Sequence, residues 1–201
     1  MTMLKQLINI PHTEHFYLAC SGGVDSMAIA DFYLRGKKNF SLAYFHHNTP
    51  QADKMETFVE GWAKEHNIPF VVSRLRNSKP KDKSPEEFWR DERYAFFGFL
   101  QGRIVTCHHL NDVAETWIFS ALHGNPKVIA VENGQVVRPF LTNTKQELID
   151  WANSHQVTWV EDDSNQDIHY PRNRIRHRIM QEALLVNPGL FKVLRKKYMD
   201  K

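Results

Sequence analysis

The chain is poor in cysteine, and the two it has, Cys20 and Cys107, form no Cys-x-x-Cys pair. That excludes a disulfide framework and a cysteine-built zinc site. No apolar run approaches the ~18 residues a membrane-spanning helix needs. The stretch from Met1 to Pro11 has one lysine, a short apolar patch and no small-residue cleavage site, so it does not read as a signal peptide. Internal repeats and low-complexity segments are missing too. These absences set the expectation of a reduced, cytoplasmic protein that is not held in a membrane. Excess charge is also small: 26 Lys and Arg stand against 23 Asp and Glu, a net of +3. The balance alone says little about nucleic acid, but the distribution says more. Arg172, Arg174, Arg176 and Arg178 crowd one stretch, and Lys192, Arg195, Lys196, Lys197 and Lys201 load the tail. Clustered basic charge can meet phosphates, although a solvated helix face is the ordinary reading.

What is present is enough for one core. At 201 residues and 42% hydrophobic content the chain can bury a full interior with a small appendage, but hardly two large domains. Short apolar runs at 16–20, 40–45, 70–72 and 104–106 read as buried strands. Between them lie helical patterns, one carrying Ala28, Ile29, Phe32 and Tyr33 and one over 53–66 carrying Met55, Phe58, Val59 and Trp62. Strands alternating with helices predict an α/β fold, a parallel sheet covered on both faces. Two further helix starts are signposted. Ser84-Pro85-Glu86-Glu87 offers a capping hydroxyl, a proline at the first helical position and a capping-box glutamate, and Thr144-Lys145-Gln146-Glu147 repeats the box. The polar, lysine-rich segment 77–84 reads as a loop.

Ser21-Gly22-Gly23-Val24-Asp25-Ser26 stands between the first strand and the first helix. Two glycines let backbone approach an anion and take positive φ. The open amides of the next helix, with the positive end of its dipole, then face that anion. Asp25 would repel phosphate unless it holds a magnesium ion that bridges to the phosphates. A glycine-rich strand-to-helix turn of no special function is the bland alternative. The string lacks the Gly-Lys-Ser/Thr ending of a Walker A loop, so no lysine within it reaches terminal phosphates. It resembles instead the PP-loop of ATP pyrophosphatases, which split ATP between the α and β phosphates.

Four further stretches narrow the resemblance to the lysidine synthetases. They are Arg90-Asp91-Glu92-Arg93-Tyr94, similar to an Arg-x-x-Arg-Tyr signature; His108-His109-Leu110-Asn111-Asp112-Val113-Ala114-Glu115-Thr116, similar to His-His-x-Asp-Asp-x-x-Glu-Thr; Arg138-Pro139-Phe140-Leu141; and Glu161-Asp162-Asp163-Ser164-Asn165 followed by Arg172-Asn173-Arg174-Ile175-Arg176. The resemblance implies residues 1–141 as an ATP-binding catalytic domain. It implies 142–201 as a helical extension completing the substrate site within the same compact unit. It implies ATP and Mg2+ as cofactors, free L-lysine and a CAU-anticodon tRNA(Ile) as partners, and a reaction that adenylates the wobble cytidine and replaces AMP with lysine. Carried over by position, Ser21, Gly22, Gly23, Val24, Asp25, Ser26, His108 and His109 bind the nucleotide, and Asp25 and Asp112 hold the metal. Asp25, Asp112, Glu115 and Arg172 are catalytic. Arg90, Arg93, Arg138, Asp162, Ser164, Asn165, Asn173 and Arg176 meet the substrate tRNA.

The residues carry a reading of their own beside this. Asp112 and Glu115 are three apart on an expected helix and share a face, fit for a metal, a general base or an incoming amine. The double histidine has no zinc-ligand spacing around it and reads as orienting phosphate or packing at a strand end. Arg172 and Arg176 fall one helical turn apart, as do Arg174 and Arg178, with Ile175 and Ile179 as the buried stripe. Asn111 stands where the family has aspartate; it keeps the hydrogen-bonding shape, loses the charge, and can serve as a helix cap. The family's C-terminal tRNA-gripping domains have no counterpart in the sequence, which is expected to be a short form relying on its basic tail, an oligomer or relaxed selection. Two other functions stay open: a tRNA thiolation that would use Cys20 or Cys107, and a non-catalytic nucleotide- or RNA-binding relative.

Overall fold

A computed structural model describes residues 3–161 and 168–199. Its centre is a six-stranded sheet of order β3-β2-β1-β4-β6-β5. The strands are β1 (Phe16–Ala19), β2 (Phe40–His46), β3 (Phe70–Arg74), β4 (Arg103–Val105), β5 (Glu132–Asn133) and β6 (Val136–Val137). All neighbours are parallel except β5 and β6, which pair antiparallel. Every residue of β2 is buried, as expected of a strand covered on both faces.

Side chains alternate across the sheet and so build two cores. Phe16, Leu18, Leu42 and Tyr44 pack with α1 (Val24–Arg35), α2 (Pro50–Glu65) and α5 (Lys145–Ser154). Ala43, Phe45, Ile104 and Val136 face the other way, against Phe96 and Phe97 of α3 (Pro85–Phe99). A third cluster joins α4 (Leu110–Leu122) to the C-terminal helices: α6 (Pro171–Arg174), a π-helical turn over Ile175–Ile179, α7 (Met180–Val186) and α8 (Leu190–Met199). Among the described residues, no helix is long and apolar enough to cross a membrane.

Residues 142–154 are not a separate appendage. Leu148, Trp151 and Ala152 of α5 sit in the same core as β1 and α1, and the Trp151 indole donates to the buried Asp31 carboxylate of α1 at 2.9 Å. Three boundaries differ from the sequence expectation. Helix α2 begins at Pro50 because Thr49 caps it, accepting from the Ala52 amide. A β5–β6 hairpin turning at Gly134 (φ 58°) was not foreseen; strands of two residues carry no readable period. The expected regular helix through Arg172–Arg178 is broken by the π turn.

Candidate active site

Strand β1 has β2 on one side and β4 on the other, so the chain reverses its direction of sheet growth between β1 and β4. In open α/β sheets the crevice at the carboxyl ends of such a strand pair is where ligands bind. Residues 20–23 leave β1 there and residues 106–109 leave β4 there. They frame a cleft of about 250 Å³.

The glycine-rich loop is tied from within. Ser26 Oγ accepts from the amides of Ser21 (3.2 Å) and Gly22 (3.1 Å) and donates to the Gly23 carbonyl (2.9 Å). Ser26 is thus a buried brace of the loop, while Ser21 is exposed at the cleft. Gly22 has φ +86°, and a Cβ there would stand 3.1 Å from Val59 Cγ2. Its carbonyl is held from behind by the Val160 amide. Helix α1 starts at Val24 with Gly23 as its cap and no capping side chain, which leaves its first amides open toward the cleft.

From α1 a line of alternating charge runs across the site. Lys145 Nζ lies 3.6 Å from Asp25 Oδ2, and His109 Nε2 lies 3.6 Å from the same oxygen. His109 Nδ1 is 3.5 Å from Asp112 Oδ2, and Asp112 Oδ1 is 3.8 Å from Arg176 Nη2. Arg176 ends the line in a two-pronged pair with Glu115, Nε to Oε1 at 2.7 Å and Nη2 to Oε2 at 3.0 Å. Asp112 also caps α4, accepting from the His109 amide at 2.9 Å. Burial works against an ionised Asp25, but the His109 hydrogen bond and the charges of His109, Lys145 and Arg176 outweigh it and hold its carboxyl below the usual range. Burial likewise favours a neutral His109, yet Asp112 and Asp25 raise its pKa above the ordinary imidazole value. His108 is the opposite case. Burial, seconded by the Arg138 and Arg93 charges against the pull of Asp112, brings it down to about 4. It is neutral at pH 7 and exchanges a 2.9 Å hydrogen bond with Thr106 Oγ1.

Asp25 Oδ1 is buried and accepts no hydrogen bond among the described residues. An unsatisfied carboxylate oxygen at the cleft fits a cation site. No group of three or more His, Cys, Asp and Glu side chains able to hold a metal occurs among the described residues. Two carboxylates, Asp25 and Asp112, with the remaining positions taken by phosphate and water, suit magnesium that arrives with a nucleotide better than a resident metal.

The structure gathers Asp25, His109, Asp112, Glu115 and Arg176 into this line, and Ser21, Ser26, Arg93 and His108 onto the cleft wall. Arg138 is buried instead. Its guanidinium donates to the Ala130 carbonyl (2.8 Å) and the Tyr94 hydroxyl (2.9 Å), fixing the ring over which Arg90 lies 5.4 Å from the centroid. Arg172 and Asn173 fall on α6, with Arg172 half-buried and its charge felt at Arg93. Gly23 and Val24 are the cap and the first residue of α1. Asp162, Ser164 and Asn165 lie outside the described residues. Sequence reasoning took Lys145 only as part of a capping box and so missed its contact with Asp25. Asn111 does not turn into the cleft: its Oδ1 accepts from the Lys145 amide at 2.9 Å.

Comparison with known proteins adds to this geometry. A family described as PP-loop domain matches residues 1–183. The chain is 33% identical over 184 residues to a tRNA(Ile)-lysidine synthase of Haemophilus ducreyi, covering 86% of this chain and 42% of that one. It is 31% identical over 195 residues to the same-named protein of Exiguobacterium sibiricum, with coverage of 90% and 46%. For that of Streptococcus mutans the values are 34% over 191 residues, 86% and 43%. The chain thus spans less than half the length of these relatives. Among solved structures, the NH3-dependent NAD synthetase from Campylobacter jejuni shares the fold at a TM-score of 0.51 and 12% identity, over 94% of this chain and 86% of that one.

Proposed function

The chain belongs to the PP-loop domain family, and on that premise we propose that it is a tRNA-modifying ATP pyrophosphatase that joins lysine to the wobble cytidine of a CAU-anticodon tRNA(Ile). The observation that carries this reading is the junction of the Ser21–Ser26 loop with His109, Asp112 and Glu115 at the crevice between β1 and β4. In the first step the ring carbonyl oxygen of cytidine attacks the α phosphorus of ATP, and pyrophosphate leaves. In the second the lysine amine attacks the activated ring carbon, loses a proton, and AMP leaves. The uncapped amides at the start of α1 are the donors offered to the departing pyrophosphate, those of Ser21 and Gly22 being held by Ser26. Magnesium, when bound, supplies positive charge against the phosphates and would be held by Asp25 and Asp112. His109, set between two carboxylates that raise its pKa, keeps both oriented. Glu115 is paired by both its oxygens with Arg176 and so is placed to position that arginine rather than to take the amine's proton. Glu115 then positions Arg176, which with Arg172 and Arg93 offers positive charge to the RNA backbone.

The thiolation alternative loses support from the thiols. Cys20 and Cys107 are free, and burial pushes both pKa values up, so neither is a ready thiolate. The test is incubation with ATP, magnesium, labelled lysine and unmodified CAU tRNA(Ile), with methionine tRNA as control. Label at the wobble base, lost in Asp25→Ala, is the expected result. ATP binding without incorporation would instead favour a silent relative.

A further inference from the structure

Leu18 of β1 pairs with Val105 of β4, and the two cysteines stand two residues further along these neighbouring strands, just past their ends. Two steps along a pleated strand return to the same face. Leu18, Val105 and Cys20 accordingly share one core cluster, with Cys107 packed against it. Residues side by side on adjacent strands lie roughly 4.8 Å apart, within the span of about 4.4–6.8 Å that a disulfide bridges between Cα atoms. The side chains lean the right way as well. Cys107 Sγ reaches across to β1, 3.5 Å from the carbonyl of Ala19, the residue before Cys20. Cys20 Sγ is held only loosely, 3.6 Å from Ser26 Oγ and 3.6 Å from Met27 Sδ. Both thiols are free and both line the cleft, Cys20 buried and Cys107 half-buried. A lone core cysteine is ordinarily small apolar filler. Two of them in register at the floor of an open cleft are a different arrangement.

We infer that Cys20 and Cys107 are a reversible oxidation site: a small-molecule disulfide entering the cleft joins them, fastens the end of β1 to the end of β4, and weakens nucleotide binding. Cys107, the more exposed thiol, reacts first. Its deprotonated sulfur attacks one sulfur of the reagent, a small thiolate leaves, and a mixed disulfide remains. Cys20 gives up its proton and attacks Cys107 Sγ, and the second half of the reagent departs. Two protein thiols and one small disulfide thus become one protein disulfide and two small thiols. Burial pushes both thiols up, Cys107 well above the ordinary value, so the exchange is slow near neutral pH and quickens as pH rises. The bond draws Cys20 Sγ off Ser26 Oγ, the hydroxyl that holds the Ser21 and Gly22 amides. Formation of the link is independent of the proposed reaction; its effect on binding rests on the reading of the cleft as an ATP site.

The experiment treats the full chain with hydroxyethyl disulfide in mildly alkaline buffer and maps the products by mass spectrometry without reduction. The expected result is a peptide linked through Cys20 and Cys107, a whole-chain mass lower by two hydrogens, and recovery of both thiols on adding reductant. Cys20→Ser should trap the mixed disulfide at Cys107. Calorimetry with magnesium ATP should show affinity falling about tenfold on oxidation and returning on reduction. Adducts at one or both cysteines of the wild-type chain with no link between them overturn the inference. So do thiols that stay unreacted in the folded chain yet react in urea. A link that leaves ATP affinity unchanged overturns its effect on the cleft. A reduced chain that binds no ATP overturns the site reading and that effect with it, while the link is still read from the mass.

Discussion

At the scale of single residues, the cleft places charge where burial alone would remove it. Asp25 and His109 are both desolvated, yet His109, Lys145 and Arg176 lower the pKa of Asp25, while Asp112 and Asp25 raise that of His109. At His108 burial outweighs the pull of Asp112, and the low pKa gives a stability signature. Its folded value of about 4 lies below the ordinary imidazole value near 6.5, so between them the unfolded chain binds a proton that the folded chain refuses. Stability therefore falls as pH drops through that window, by ~1.4 kcal/mol per unit at most. His108→Gln should flatten this slope between pH 6.5 and 4 in urea titrations. Glu115 tests a different cost. It is 3% exposed and its partner Arg176 31%, so Glu115→Gln strands a partly buried guanidinium, with an expected loss of about 2–3 kcal/mol, the low side for a broken buried pair. An unchanged melting curve would show that solvent already satisfies Arg176. At Gly22, alanine meets both a positive φ and the Val59 side chain. Gly22→Ala should lower the melting temperature by about 2–8 °C and weaken nucleotide binding as well.

At the scale of elements, the sequence was most legible where local rules and packing agree. The proline-led starts of α3 and the capping box of α5 were readable because a hydroxyl, a proline and a glutamate at fixed offsets satisfy helix-end amides without outside help. The loop after β1 was readable for another local reason, two glycines that let the backbone turn tightly and a serine at a fixed offset that braces it. What α5 does in the molecule was not legible. Its contact with α1 depends on Trp151 reaching Asp31 across 120 residues of chain, and the Lys145 contact depends on that packing. Trp151→Phe keeps most of the apolar surface and removes the buried hydrogen bond. An expected cost of about 1–3 kcal/mol, with weaker pyrophosphate binding at the same time, would show that α5 holds the cleft together. The π turn escaped the sequence as well. Arg172 and Arg176 were expected one turn apart on a regular helix, whereas the turn over Ile175–Ile179 sends Arg176 to Glu115. Arg138, readable only as a surface arginine or a ligand contact, became a buried support for Tyr94.

At the scale of the whole molecule, the alternation of strands and helices gave the parallel sheet, because buried parallel strands show as short apolar runs between amphipathic helices. The antiparallel edge of β5 and β6 lay below that signal. A ligand that binds only the folded cleft must also stabilise the fold. Magnesium pyrophosphate at a hundredfold its dissociation constant should add about 2.7 kcal/mol, read as a concentration-dependent rise in melting temperature. The position of β1 in the sheet also bears on how the chain is made. Its two neighbours come from very different times of synthesis: β2 follows within some tens of residues, but β4 begins at Arg103. At a ribosomal pace of about 5–20 residues per second, the nascent chain carries β1 with one flank open for several seconds. That flank belongs to a strand whose Phe16 and Leu18 end fully buried. The seam between β1 and β4 is therefore, during those seconds, an open apolar edge that closes only when β4 arrives.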